Sequence, residues 1–194
     1  MAYKLYFRYG TMNSSKTANL LMVAFNYKEK GRKVLLLKPK IDDRFGSDNI
    51  SSRCAMSCKA DFVIDKTDHT LRDIDINVLA TVRAILVDEV QFFTRSQINA
   101  LRELTQVCPV ICYGLRTDYK SNLFEGSKRL MEIADSIEEI KTICSFCSKK
   151  AIINLKHKGN KIIKSGSDEP DIGDENKYLS SCWFCWDTNS IIPL

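Results

Sequence analysis

Residues 10–17 read Gly-Thr-Met-Asn-Ser-Ser-Lys-Thr and lie between two patterns of different period. The preceding segment, 3–9, is rich in aromatic residues and predicts a β-strand. The following segment, 18–30, carries apolar residues at helical spacing and stops at Gly31, which predicts a helix. A polar loop ending in Lys-Thr between a strand and a helix is typical of a phosphate-binding loop, or P-loop.

Each position of this loop has a predicted task. Backbone amides of residues 11–17 bind phosphate oxygens, with the positive end of the helix dipole behind them. Lys16 neutralises the β- and γ-phosphates, and the Thr17 hydroxyl is a ligand for Mg²⁺. Ser15 stands where the pattern has its second glycine, and a serine adopts a glycine-like conformation only at some cost. A polar turn with an exposed lysine is the alternative. The candidate phosphate-binding residues are Gly10, Thr11, Met12, Asn13, Ser14, Ser15, Lys16 and Thr17.

The chain up to residue 142 alternates strand and helix patterns. Nearly continuous apolar runs predict strands buried on both faces. A capping box at Thr94 and Gln97 predicts the start of one helix, and residues 41–60 show no period and predict a long loop. The alternation predicts an α/β fold with a parallel, P-loop NTPase-like sheet flanked by helices. The further predicted strands are 34–37, 84–87, 110–113 and 137–142, and the further predicted helices are a weak one at 71–79 and one at 127–134.

Two carboxylates, Asp88 and Glu89, follow directly after the predicted strand 84–87. An aspartate in this place is typical of a Walker B site, where it holds the magnesium of a bound nucleotide. If Asp88 serves the metal, Glu89 is left to accept a proton from an attacking hydroxyl. A cap for a helix or turn is the alternative interpretation.

The eight cysteines separate into two kinds. Cys144-x-x-Cys147 and Cys182-x-x-Cys185 supply four thiolates for a tetrahedral, structural zinc site, with disulfides as the alternative. Cys54, Cys58, Cys108 and Cys112 are assigned no function. The change of pattern near residue 141 predicts two domains, a P-loop domain at 1–141 and a small zinc-ribbon-like domain at 142–194.

Composition excludes few classes of protein, but it limits the partners and the cellular location that we expect. Its 194 residues carry a net charge of +5 that is scattered along the chain, so no nucleic-acid partner is expected. The longest apolar run is far too short to span a bilayer, and the N-terminus has no signal-peptide pattern. We therefore expect a cytoplasmic protein without a membrane partner.

Six elements, taken together and in this order, resemble the zinc-containing thymidine kinases of bacteria and animal cytosol. The resemblance covers nearly the whole chain, and it departs from the family pattern at Ser15 and at Asp174, where a second glycine is usual. The elements are residues 10–17, Asp42-Asp43-Arg44, residues 88–92, residues 114–119, the two cysteine pairs, and Ile172-Gly173 ahead of Tyr178, which is similar to the family's lasso loop.

The resemblance implies transfer of the γ-phosphoryl group of ATP to the 5′-hydroxyl of thymidine, and also of deoxyuridine, for nucleotide salvage. Glu89 then matches the catalytic base, Tyr119 stacks on thymine, and the lasso closes over the base and excludes water. Asp42, Asp43, Arg44 and Gln91 match positions near the phosphates. The residues implied to contact the nucleoside are Met12, Gln91, Phe92, Leu115, Tyr119, Glu169, Pro170, Asp171, Ile172, Gly173 and Tyr178.

A homotetramer and inhibition by thymidine triphosphate are further implications of the resemblance. Two other classes stay open. One is a P-loop ATPase or switch protein with a zinc appendage, which would bind or hydrolyse nucleotide whether or not a nucleoside is present. The other is a zinc-ribbon nucleic-acid binder, which salt-sensitive binding to DNA or RNA would reveal.

Overall fold

The computed structural model describes residues 2–44, 46–67, 71, 74–159, 161–166 and 177–188. Its helices are α1 (Lys16–Glu29), α2 (Ile76–Thr81), α3 (Arg95–Leu104), α4 (Glu125–Ile133) and α5 (Trp183–Asp187), and a 3₁₀ turn spans Val90–Phe92. Its strands are β1 (Leu5–Tyr9), β2 (Lys33–Pro39), β3 (Asn49–Ser51), β4 (Ser57–Lys59), β5 (Phe62–Ile64), β6 (Val82–Val87), β7 (Val110–Gly114), β8 (Ser136–Glu139), β9 (Ile153–Lys158), β10 (Lys161–Ile163) and β11 (Tyr178–Ser181).

Six parallel strands form the main sheet in the order β5-β2-β6-β7-β1-β8. This confirms the predicted parallel sheet. Because parallel strands share a direction, the segments after β1, β6 and β7 meet at one edge. The loop 10–17, the pair Asp88-Glu89 and Leu115 therefore lie at the same edge of the sheet.

Helices cover both faces of this sheet. On one face Leu20 and Leu21 of α1 pack with Leu36, Leu86 and Ile111. Alternate residues of the same strands, such as Leu35 and Ile85, point to the opposite face, where Ile98 and Leu101 of α3 and Leu130 of α4 belong to the same core cluster. Burial on both faces explains why β2, β6 and β7 are nearly continuous apolar runs.

Three details of the predicted secondary structure were wrong. The supposed loop 41–60 contains the hairpin β3–β4, and β5 adds an edge strand that pairs Phe62 with Leu37. Three-residue strands are too short to show a period, so the sequence pattern missed them.

The weak helix at 71–79 is α2, which begins only after Asp75. The side chain of Asp75 accepts a hydrogen bond from the Asn77 amide at the start of this helix. The predicted strand 137–142 is β8 and is displaced towards the N-terminus.

A second, antiparallel sheet in the order β10-β9-β11 lies in the C-terminal part of the chain. Trp186 of α5 packs there on Ile153 and Leu155. The main sheet uses residues up to Glu139 and the second begins at Ile153, while the predicted boundary near residue 141 stays a prediction. Two of the unassigned cysteines, Cys108 and Cys112, are buried, whereas Cys54 and Cys58 are exposed.

Within the described ranges, no helix combines the length and the apolar character that crossing a bilayer requires.

Candidate functional site

The phosphate loop makes a tight turn directly after β1. A Cβ atom added at Gly10 would lie 2.3 Å from Ser14 Oγ and 2.5 Å from the Ile140 carbonyl oxygen, so this position accepts only glycine. Asn13 and Ser15 both adopt left-handed backbone conformations, with φ of 62° and 60°. Such conformations are unfavourable for residues with a side chain, and they persist where the surrounding structure imposes them.

Lys16 is buried beneath this loop. Its Nζ donates to the Thr11 carbonyl oxygen at 2.7 Å, which folds the loop around the ammonium group. Burial lowers the pKa of Lys16 to about 8, and the nearby carboxylates of Glu89 and Asp88 act in the opposite direction. The hydroxyl of Thr11 is also buried, and it has no hydrogen-bond partner in the part of the chain that the structure describes. A buried cation and a buried unpartnered hydroxyl fit an anionic ligand.

Thr17 and Asp88 come together from different elements. The Thr17 hydroxyl, at the start of α1, donates to Asp88 Oδ2 at 3.1 Å after the end of β6. The pKa of Asp88 is raised, mainly by burial and to a smaller extent by the negative charge of the adjacent Glu89. A hydroxyl and a carboxylate oxygen in contact are the donors that Mg²⁺ prefers, so the pair fits a magnesium ion brought in with nucleotide phosphates.

Both oxygens of Glu89 are held by donors. Arg44 Nη2 donates to Oε1 at 2.6 Å, and Gln91 Nε2 donates to Oε2 at 2.5 Å. Gln91 is anchored in turn, because its Oε1 accepts the Leu115 amide at 2.9 Å. Glu89 itself has φ of 46°, a rare conformation for a residue with a side chain. Strain of this kind clusters at functional sites.

Arg44 links two acidic groups of the site. Besides Glu89, its guanidinium bonds both oxygens of Asp42, at 2.6 and 3.1 Å. Burial acts to lower the pKa of Arg44, but the hydrogen bonds and charges of Asp42 and Glu89 raise it well above its usual value. The guanidinium therefore lies between two carboxylates that stabilise its positive charge. Asp43, by contrast, is exposed, and its backbone carbonyl oxygen accepts a hydrogen bond from the Gly46 amide.

The residues matched to the nucleoside lie around the same edge of the sheet. Tyr119 and Tyr178 are both buried, and the Nζ of Lys156 lies 4.8 and 5.8 Å from their ring centres. Phe92 packs edge-on against Phe124 at 5.8 Å. The structure thus brings Tyr178 to Tyr119 across 59 positions of sequence. The predicted lasso residues Glu169, Pro170, Asp171, Ile172 and Gly173 lie outside the described residues.

Some contacting residues were not found from the sequence. Lys156, Asn154 and Ser180 reach the site from β9 and β11, and no motif marks them. Their strands are short and belong to a region with no clear helical or strand period. Only the docking of the small sheet against the phosphate loop reveals them.

The four predicted metal ligands form one cluster. The Sγ atoms of Cys144, Cys147, Cys182 and Cys185 all lie within 4.8 Å of one another. Cys147 Sγ is 3.7 Å from both Cys182 Sγ and Cys185 Sγ. A tetrahedral zinc ion with Zn–S bonds of about 2.3 Å separates its sulfurs by roughly 3.8 Å. The cluster therefore fits a zinc ion, and it connects the segment before β9 to the segment after β11.

Replacing Ser15 by glycine is expected to stabilise the protein by roughly 0.5–1 kcal/mol, because relief of the left-handed conformation outweighs the added entropy of the unfolded chain. The Ser15 side chain makes no capping hydrogen bond that would be lost. We also expect tighter binding of ATP, measured by calorimetry, because the loop amides are held with less strain.

Ala55→Gly is the matched control for this variant. Ala55 has φ of 62° in the β3–β4 turn, where it is exposed and lies outside the phosphate loop. Chemical denaturation should show a similar gain for both variants, whereas only Ser15→Gly should change ATP affinity. Weaker ATP binding by Ser15→Gly would contradict the strain argument.

The chain is similar to known proteins over nearly its full length. A family model described as thymidine kinase matches residues 3–186. A thymidine kinase of Streptococcus thermophilus is 41% identical over 196 residues, with 98% of each chain covered. Thymidine kinases of Mannheimia succiniciproducens, at 39% identity over 93% of each chain, and of Francisella tularensis, at 40% over 94% of this chain and 96% of the relative, are similar over nearly their full lengths.

Proposed function

The chain belongs to the thymidine kinase family, and on that premise we propose that it transfers the γ-phosphoryl group of ATP to the 5′-hydroxyl of thymidine. Deoxyuridine is the second proposed acceptor. The observation that carries the proposal is the position of Glu89, held at the end of β6 beside the Thr17–Asp88 pair. The carboxylate of Glu89, a proton acceptor, thus lies next to the pair that fits the magnesium ion and phosphates of a nucleoside triphosphate.

The phosphate loop supplies the grip on ATP. Amides at the start of α1, the Lys16 ammonium and the Thr11 hydroxyl are gathered where the triphosphate would lie. When phosphate oxygens replace the Thr11 carbonyl as partner of Lys16, their charge favours the protonated amine and offsets the effect of burial. The site therefore holds the positive charge of Lys16 and the loop amides in place before ATP binds.

Glu89 is the proposed general base. Its oxygens accept hydrogen bonds from Arg44 and Gln91, and each carboxylate oxygen still has a lone pair for a further hydrogen. The two donors fix the direction in which that lone pair points. The proton of the sugar hydroxyl passes to Glu89 as the hydroxyl oxygen attacks the γ-phosphorus. The bond from that phosphorus to the β,γ-bridging oxygen breaks, and ADP leaves. Arg44, beside the base, is the proposed cation for charge on the transferred group.

The nucleoside pocket is proposed to lie beside Tyr119. Leu115 and Phe92 lie on the two segments that Gln91 joins, so the pocket and the base share one support. Tyr178 and the lasso 169–173 are proposed to close over thymine. Exclusion of water follows from such closure and protects ATP from hydrolysis in the absence of an acceptor.

Two metals complete the proposal. Magnesium, held by Thr17 and Asp88, supplies charge neutralisation to the phosphates when it is bound. Zinc on Cys144, Cys147, Cys182 and Cys185 is structural, since four thiolates close its coordination sphere and leave no position for substrate.

The family resemblance also supports a homotetramer, a cytoplasmic location and inhibition by thymidine triphosphate. One observation favours self-association. Met22 and Phe25 on α1 are 55% and 57% exposed, which is a high exposure for apolar side chains one turn apart.

A nucleoside panel with ATP tests the function. We expect ADP formation that depends on thymidine or deoxyuridine, with the monophosphate as product. Equal ADP formation without any nucleoside would instead identify an ATPase or switch protein. Salt-sensitive binding to DNA or RNA, with no kinase activity, would identify a nucleic-acid binder.

A further inference from the structure

The backbone of Met12, in the middle of the phosphate loop, is bonded on both sides by the small C-terminal sheet. Its amide donates to Asn154 Oδ1 at 2.7 Å, and its carbonyl oxygen accepts the Ser180 hydroxyl at 2.5 Å. The partners are 142 and 168 residues away in sequence. Local chain geometry therefore does not impose these contacts.

Asn154 and Ser180 form one unit within the sheet. They are directly opposite each other in the pairing of β9 with β11. Both are nearly inaccessible to solvent, at 4% and 2% exposure, so their hydrogen bonds to the loop have no water to compete with. Asn154 also donates from Nδ2 to the Thr117 carbonyl oxygen at 3.0 Å, which ties the loop to the segment carrying Tyr119.

The loop needs an external support. Asn13 and Ser15 both hold left-handed conformations without being glycine, and Met12 directly precedes the first of them. A loop with two such residues keeps its shape only if neighbouring structure over-determines it. The two bonds on Met12 reach the residue beside this strained part from the small sheet, outside the loop.

We propose that Asn154 and Ser180 are positioning residues that clamp the phosphate loop at Met12 in the conformation that binds ATP. The inference rests on the proposed function, because it takes ATP as the ligand of the loop, and it assigns to the small sheet a part in nucleotide binding. The clamp also reaches the cysteine cluster, since the Ser180 carbonyl oxygen accepts the Ser145 amide at 2.8 Å beside Cys144. The metal-binding segment and the phosphate loop are thereby parts of one support.

Removal of the Ser180 hydroxyl tests the clamp. Ser180→Ala is expected to weaken binding of Mg-ATP, measured by calorimetry without nucleoside, by roughly five- to tenfold, the effect of losing one hydrogen bond. Ser180→Thr keeps the hydroxyl and should restore most of the affinity. Ser181→Ala is the matched control, because the Ser181 hydroxyl is equally buried on β11 but donates to the Cys182 carbonyl oxygen.

A second readout separates positioning from general stability. In a Ser15→Gly background the loop is less strained, so Ser180→Ala should cost less ATP affinity than in the natural chain. If Ser180→Ala only lowered the global stability, it would weaken Mg-ATP binding by the same factor in both backgrounds. Asn154→Ala, which removes the acceptor of the Met12 amide, should also weaken Mg-ATP binding relative to Ser181→Ala.

Equal ATP dissociation constants for Ser180→Ala and Ser181→Ala would overturn the clamp, as would an unchanged effect of Ser180→Ala in the Ser15→Gly background. If Ser180→Ala does not fold, Asn154→Ala decides, and an ATP dissociation constant of Asn154→Ala equal to that of Ser181→Ala overturns the clamp. The proposed function fails separately, if the natural chain binds Mg-ATP but phosphorylates no nucleoside. The comparison of Mg-ATP dissociation constants among the variants still tests the clamp in that case, because it is made without nucleoside.

Discussion

Glu89→Gln is expected to lower kcat by about 10³-fold, within the range of general acid–base catalysis, while the protein still binds Mg-ATP. The amide cannot accept the proton of the sugar hydroxyl. It keeps the size of the side chain, so Gln91 retains a neighbour of similar shape. Steady-state kinetics with thymidine give kcat, and calorimetry gives the nucleotide affinity of the same preparation.

A control must remove a negative charge without touching the site. Glu103→Gln serves, because Glu103 is exposed on α3. We expect its kcat and ATP affinity to match those of the natural protein. A Glu89→Gln enzyme with kcat within tenfold of the natural value would refute the role of Glu89 as base. Loss of ATP binding in that variant would instead assign Glu89 to the nucleotide site.

Cys182→Ser is expected to have the largest effect on stability. It removes one of four sulfur ligands from the cluster that joins the segments flanking the small sheet. Structural zinc contributes its binding free energy to folding, so we expect a loss of several kcal/mol and of the bound metal. Zinc content by elemental analysis and thermal unfolding measure the two effects.

Cys54→Ser is the control for this prediction, because Cys54 is exposed and lies outside the cluster. It should keep one zinc ion per chain and an unchanged melting temperature. Because the small sheet contacts Met12, Cys182→Ser should also weaken ATP binding in the fraction that remains folded. Full zinc content and unchanged stability in Cys182→Ser would exclude the proposed structural role.

The phosphate loop shows how far a local pattern reaches. The segment 10–17 predicts a turn between a strand and a helix, and β1 and α1 confirm it. The cost of Ser15 was also foreseeable, since a position reserved for glycine implies a left-handed conformation. The hydrogen bonds of Met12 were not foreseeable, because their partners follow the loop by more than 140 residues.

The acidic site shows the same division. Two carboxylates after a buried strand predict a metal ligand and a base, because charge at the carboxyl end of a parallel strand requires a function. Nothing in the spacing of Asp42, Arg44 and Glu89 predicts that one guanidinium would join the two carboxylates. That arrangement depends on how the segment after β2 folds back over the end of β6.

The amino-acid sequence by itself determined the parallel α/β architecture, the phosphate loop, the acidic pair and the four clustered cysteines. It could do so because each depends on residues that are close together or on a period of burial that the chain repeats. Only the tertiary structure decided which groups hold Glu89 in place, that Lys156 contacts the rings of both Tyr119 and Tyr178, and that β9 and β11 bind the phosphate loop. These contacts join short polar side chains across long separations, and a hydrogen bond between such groups leaves no periodic trace in the sequence.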